Sequence, residues 1–224
     1  MDEKEIQKLI EQDTDGSKLV EAATAYFSGD GVEQDLKKAY ELYSKAGEKG
    51  NFYAYYDMAY MNYYGHGREK NLDLAIELFI KSSDLGDPEG AFHAGELLLH
   101  EKGDTEKARG YLKLASERGS LGGKFEYGIF LFEQGEEGGL EEIIEAAKLG
   151  NGYAQLFLGD AYLRGEILPK DEGRGIDYLK QAAELRVKRA CLMLADIYRV
   201  GTIVPKDLEV AKRYEDMADE PFED

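Results

Sequence analysis

The stretch Ala154–Arg186, AQLFLGDAYLRGEILPKDEGRGIDYLKQAAELR, decides the fold. It carries Ala154, Leu158, Gly159, Tyr162 and Gly165, then Pro169-Lys170-Asp171, then Tyr178, Leu179, Lys180 and Ala182-Ala183. Thirty-six residues on, the pattern returns as Ala190, Leu194, Ala195, Tyr198, Gly201, Pro205-Lys206-Asp207, Tyr214 and Ala218. A fixed period of this size means that one supersecondary unit is copied along the chain, each copy hiding its apolar face against the next.

The same unit can be followed back toward the N-terminus. A first copy has Ala22, Ala23, Tyr26, the turn Gly29-Asp30-Gly31-Val32, Asp35, Ala39, Tyr43, Ala46 and Gly50. A second has Ala54, Met58, Ala59, Gly65-His66-Gly67, Ala75, Phe79 and Gly86. The third and fourth close at Gly119 and Gly150, with shorter periods of 33 and 31 residues. The fifth places Arg186 where the closing glycine is expected, and the sixth ends near Phe222. In the shorter copies the helices are expected to keep their length while only the connection shrinks, because loops tolerate such changes.

Each copy reads as two helices. Ala154, Leu158, Ala161 and Tyr162 fall at i, i+4, i+7 and i+8, one face of an α-helix. Ala39, Tyr43 and Ala46 mark the second helix in the same way. Asp35, Asp171 and Asp207 stand where a carboxylate would cap that helix. Gly50, Gly86, Gly119 and Gly150 stand where a left-handed residue would close it. Ala59, Gly128, Gly159 and Ala195 share one small-residue position, which predicts close helix approach. The reading is all-α: an α-solenoid forming one domain over 1–224. It comprises a capping helix and turn (1–17, with Ile6, Leu9 and Ile10 on one face) and repeats at about 18–50, 51–86, 87–119, 120–150, 151–186 and 187–222.

Composition bounds the function. With 28 Lys+Arg against 46 Asp+Glu the formal net charge is −18, while 43% hydrophobic residues leave enough apolar surface for a core. Such acidity repels phosphate backbones and anionic lipid, so neither nucleic acid nor a membrane is the expected partner. A basic or apolar polypeptide fits better. A single cysteine, Cys191, makes an intrachain disulfide impossible and is expected to be a buried small hydrophobe. Met1-Asp2-Glu3-Lys4-Glu5 lacks the pattern of a signal peptide, and the expected location is cytoplasmic.

The pattern Ala-x3-Leu-Gly-x2-Tyr-x2-Gly, followed by Gly-Val-x2-Asp-x2-Lys-Ala-x3-Tyr-x-Lys-Ala-Ala-x3-Gly, resembles the SEL-one-like repeat (Sel1-like) family, a branch of the tetratricopeptide superfamily. Gly29, Gly31, Val32, Asp35, Lys38, Ala39, Tyr43, Lys45, Ala46 and Gly50 carry it most closely. The resemblance covers about residues 18–220. It implies a right-handed superhelix of antiparallel helix pairs, a right-handed α-solenoid with first helices on the concave wall, and a scaffold or adaptor role without catalysis or cofactor. Disulfide-laced members of the family bind β-lactams, and a chain whose only cysteine is Cys191 departs from them.

Numbered from the first small residue of each first helix, positions 4, 7 and 11 lie at about 300°, 240° and 280° around a ~100°-per-residue helix, one stripe away from the core. The stripe contains Glu21, Thr24 and Ser28; Asp57, Tyr60 and Tyr64; His93, Glu96 and His100; Glu126, Ile129 and Glu133; Phe157, Asp160 and Arg164; and Met193, Asp196 and Val200. These residues are the expected contact surface for a basic segment with apolar anchors. Tyr56 and Tyr63 are expected in the core, and Tyr60 and Tyr64 at the contact. The alternative function is a metal-dependent enzyme or metal-binding protein in which His93, Glu96 and His100, at i, i+3 and i+7, supply ligands. The chain is expected to be monomeric, with dimerisation through its C-terminal end as the alternative.

Overall fold

The computed structural model describes Lys8 and residues 11–219, and among these every regular element is a helix. Six helix pairs follow one another. They are α1 (Ser17–Ser28) with α2 (Leu36–Glu48), α3 (Phe52–Tyr64) with α4 (Leu72–Asp84), and α5 (Pro88–His100) with α6 (Thr105–Glu117). Then come α7 (Leu121–Glu133) with α8 (Gly139–Lys148), α9 (Gly152–Arg164) with α10 (Glu172–Glu184), and α11 (Lys188–Val200) with α12 (Leu208–Asp219). Of the capping helix expected over about 2–12, Lys8, Glu11 and Gln12 are helical, and its apolar face lies outside the described residues. So does the chain end at 220–224. No helix among the described residues is long and apolar enough to cross a membrane.

Local chemistry explains where the helices begin and end. The Asp35 carboxylate accepts from the amides of Lys37 and Lys38 at 3.1 and 3.0 Å, Asp171 from Arg174, and Asp207 from Glu209 and Val210. Asn51, Asn71 and Asn151 do the same for α3, α4 and α9, each satisfying a helix amide that would otherwise lack an acceptor. At the other end Gly50, Gly86, Gly119 and Gly150 take the left-handed conformation, with φ between +86° and +108°. Arg186 occupies the equivalent place at φ +61°, the one non-glycine residue with positive φ among those described.

The small-residue position brings paired helices together. A Cβ on Gly159 would lie 2.7 Å from Leu179 Cδ2, and one on Gly128 would lie 2.9 Å from Ile143 Cγ1. Ala59 and Ala195 fill the same position fully buried. In the last two repeats the tyrosines of the paired helices also stack: Tyr162 on Tyr178 at 5.9 Å and Tyr198 on Tyr214 at 6.0 Å.

One expectation needs correcting. The third repeat keeps 13-residue helices, but in the fourth α8 has only 10, so the helix shortens as well as the connection. Gly138 sits at φ +88° immediately before it, which prevents an earlier start. A Cβ on Gly139 would lie 2.5 Å from the Phe132 amide nitrogen, so α7 and α8 cross here backbone to backbone.

The chain forms two compact units, one ending at Gly123 and the other beginning at Lys124. In the first, one apolar cluster runs through Leu19, Leu42, Met61, Leu78, Phe79 and Leu97. In the second, one cluster surrounds Ile143 and Leu158, and another surrounds Leu179, Cys191 and Leu194. Cys191 is a buried free thiol, as its apolar setting led us to expect.

Candidate functional site

In the first unit the site is built on α3. Ala54, Met58, Ala59 and Met61 of this helix enter the core, so Asp57, Tyr60 and Tyr64 emerge on another face. Tyr56 and Tyr63 are half-buried against the core as anticipated, Tyr56 with its edge to Phe79 at 5.4 Å. Tyr60 and Tyr64 remain 41% and 45% exposed, with ring centres 4.4 Å apart. Left-handed Gly65 and Gly67 then turn the chain sharply, and the His66 ring between them stacks back on Tyr60 and Tyr64 at 6.1 and 5.7 Å.

Two concavities adjoin Tyr60. One, of about 260 Å³, is lined by Tyr60, Tyr63, Tyr64, Phe79, His93, Glu96, Leu97, His100 and Glu101. It brings together five residues of the expected stripe. His93 lies against the rings of Tyr56, Phe79 and Phe92, and its Nδ1 pairs with Glu96 Oε2 at 3.2 Å. His93, Glu96 and His100 share this wall but do not converge: among the described residues no group of three His, Cys, Asp or Glu side chains could hold a metal ion. The metal-site reading is corrected accordingly. Helical spacing put the three on one face, but ring packing directs His93 to its aromatic neighbours and Glu96.

The other concavity, of about 280 Å³, lies where α1, α2 and α3 meet and is lined by Thr24, Phe27, Tyr43, Tyr56, Asp57, Tyr60 and Met61. Tyr43 OH and Thr24 Oγ1 are hydrogen-bonded at 3.0 Å. Burial raises the Asp57 carboxyl from its ordinary 3.8 to about 6, with the neighbouring Tyr43 hydroxyl partly offsetting the effect. Burial likewise raises the Tyr43 phenol, with the Asp57 charge adding to it. The Tyr56 phenol is pushed up to about 12, first by burial and then by the charges of Glu89, Asp87 and Asp57. Neither concavity beside Tyr60 is lined by a lysine or arginine.

The second unit has a cleft of about 430 Å³, lined by Phe125, Tyr153, Leu156, Phe157, Asp160, Ala161, Arg164, Glu166, Ile167 and Arg189. Phe157, Asp160 and Arg164 of the expected stripe meet here, with Arg164 Nε on Asp160 Oδ1 at 2.9 Å. Glu126, Ile129, Glu133 and Asp196 stand outside its lining. Ile129 packs against the Ile143–Leu158 cluster, Glu133 is exposed, and Asp196 pairs with Arg199. Residues outside the stripe also line these sites. Tyr43 sits on a second helix, where its spacing reads as core, while Ile167 lies in a connection and has no helical period to betray it.

The comparisons with known proteins agree with this architecture. The Sel1 repeat profile matches residues 20–51, 52–87, 88–120, 152–187 and 188–214. The structure is similar to that of a Sel1 repeat protein from Oxalobacter formigenes, with a TM-score of 0.84 and 24% identity over 94% of this chain and 88% of that one. At that identity the likeness concerns the fold alone. It is also similar to a protective antigen of uropathogenic Escherichia coli that displays an SLR fold, with a TM-score of 0.78 and 28% identity over 92% of this chain and 46% of the antigen. In sequence, 131 residues are 29% identical to an exopolysaccharide production negative regulator of Rhizobium leguminosarum bv. viciae, covering 51% of this chain and 49% of the regulator. The chain thus spans about half the length of the regulator and of the antigen. Repeated helix hairpins, small residues at their crossings and glycine-closed second helices across most of its length make this chain a member of the Sel1 repeat family, an all-α fold of helical repeats.

Proposed function

We propose that this protein is a non-catalytic scaffold or adaptor that holds a polypeptide partner against the first helices of its repeats. Proteins of this repeat family generally bind other proteins and generally do so without catalysis. A distant regulator among its relatives is consistent with such a role.

The observation that carries the reading is the surface around Tyr60. Two exposed tyrosines lie side by side, with Asp57 on one side and Glu96 and Glu101 on the other, and with no lysine or arginine in either lining. Tyrosine offers rigid, amphipathic contact area at low entropic cost, and concave carboxylates attract a basic chain. The partner that fits is a basic segment with one or two apolar or aromatic anchors.

Panning a random dodecapeptide library against the purified protein tests this. Enrichment of lysine or arginine together with an apolar residue is expected, and it should disappear with Tyr60→Ala/Tyr64→Ala. Peptides without a basic bias, or the same peptides recovered on the variant, would overturn it.

A further inference from the structure

We infer that the cavity around Asp57 is a specific pocket for a primary alkylammonium group, the side chain of a lysine on the bound polypeptide. The inference rests on the proposed function and deepens it, naming one residue of the partner and the place it enters.

The cavity combines a half-buried carboxylate with the rings of Phe27, Tyr43, Tyr56 and Tyr60. A carboxylate removed from water favours a counter-ion strongly, because its charge is poorly solvated. Among the described residues no cation acts on Asp57: burial and the Tyr43 hydroxyl account for its behaviour. The groups that face it are Tyr43 from α2 and Tyr56 and Tyr60 from α3, with Thr24 and Phe27 contributed by α1. Behind Tyr56 stand Glu89 and Asp87, which add negative potential, and His66 stacks on the outer side of Tyr60.

Aromatic faces attract a cation independently of the carboxylate. The same unit already uses this pairing, with Lys38 over the Tyr26 ring at 4.3 Å and Arg68 over Tyr40 at 3.8 Å. An ammonium suits the site better than a guanidinium. It is a compact charge with three diverging donors, to which Asp57 and the hydroxyls of Tyr43 and Thr24 offer separate acceptors, while a guanidinium asks for a flat carboxylate edge. The stem of a lysine would lie along the rings and Met61, as such stems do on apolar surface.

The test follows the methyl resonance of Met61 by proton–carbon NMR while n-pentylammonium chloride is added at constant ionic strength. A saturable shift is expected at pH 7.5, with n-pentanol and propylguanidinium each binding at least tenfold more weakly. Asp57→Asn should weaken pentylammonium at least tenfold. Glu184→Gln, an exposed site in the second unit that removes the same unit of charge, should leave it unchanged. Lowering the pH from 7.5 to 5 should bring the wild type to the level of Asp57→Asn.

Equal binding of amine and alcohol, tighter binding of the guanidinium, an unaltered Asp57→Asn, or no saturable shift would each overturn the inference. The amide spectrum of Asp57→Asn confirms that it is folded, and Tyr43→Leu, which removes one ring and keeps the carboxylate, should weaken binding as a second route. If library peptides bind while pentylammonium does not, the pocket assignment fails and the proposed function stands. If pentylammonium binds at Asp57 while no basic peptide is selected, the pocket stands and the proposed function fails.

Discussion

The faces built on α3 and α9 occupy the same place in their repeats and have different chemistry. At the fourth, seventh and eleventh positions α3 carries Asp57, Tyr60 and Tyr64, while α9 carries Phe157, Asp160 and Arg164. On α9 the acidic and basic residues are one helical turn apart and neutralise each other, Arg164 on Asp160 at 2.9 Å. On α3 the aspartate stands among rings, and among the described residues no cation acts on it. The helical unit is alike in both, and the three side chains at these positions give the two faces different charge. The cleft of the second unit is larger and flanked by Tyr153 (63% exposed) and Ile167, with Arg164 and Arg189 beside Asp160 and Glu166 in its lining.

The comparison can be tested first at its frame. Gly159 and Ala59 share one register position, but a Cβ at Gly159 would already press on Leu179. Gly159→Val should therefore destabilise the second unit by about 3 kcal/mol through overpacking. Ala59→Gly should cost only about 1 kcal/mol by helix propensity. Urea unfolding followed by circular dichroism reads both, and equal costs would mean that Leu179 yields to a side chain at position 159.

The chemical contrast comes next. For a library-selected basic peptide, Tyr60→Ala/Tyr64→Ala should weaken binding more than about 50-fold, the loss typical of two central aromatic contacts. Tyr153→Ala/Ile167→Ala should change it less than about threefold. Calorimetric titration decides, and a reversed order would move the basic partner to the second unit.

Asp57 should also be visible in stability. Its carboxyl is raised from 3.8 to about 6 in the fold, so the folded state binds the proton more tightly than the unfolded chain does. The charge therefore destabilises the fold above pH 6, and this penalty is relieved as the pH falls from 6 toward 4. At about 1.4 kcal/mol per unit the ceiling is about 3 kcal/mol, which partial solvent access reduces. Asp57→Asn should gain about 1–2 kcal/mol at pH 7.5 and nothing near pH 4, measured as urea midpoints at the two pH values. Asp160→Asn, whose residue is already paired with Arg164, should show no such gain.

The smallest effect concerns the closing residue of the second helix. Gly86 has φ +108° with open space around its missing side chain, so Gly86→Ala should cost about 1 kcal/mol from backbone conformation alone. Arg186→Gly at the matching place should gain about 0.5 kcal/mol, relief of left-handed strain being partly offset by the freedom of glycine in the unfolded chain. Thermal melts can resolve both signs.

Much of the frame was legible before any coordinates. The caps at Asp35, Asp171 and Asp207, the glycines at 50, 86, 119 and 150, and the exception at Arg186 all follow from backbone requirements within a few residues of each position. The site was only half legible. Spacing placed Tyr60, Tyr64, His93, Glu96 and His100 on one face, and they do share a concavity. Spacing also suggested a metal site, because periodicity gives the side of the helix a residue occupies and says nothing about its rotamer. The short α8 went unseen for a related reason: its start is set by the left-handed backbone of Gly138, and the sequence has Gly135, Gly138 and Gly139 in close succession.

The amino-acid sequence alone determined that this protein is an array of helix hairpins, because period, capping and glycine placement are local properties written in consecutive residues. Tertiary structure alone decided that Thr24 from α1, Tyr43 from α2 and Asp57 from α3 meet around a single cavity. That convergence depends on packing angles and desolvation among three helices, which no spacing along one helix encodes.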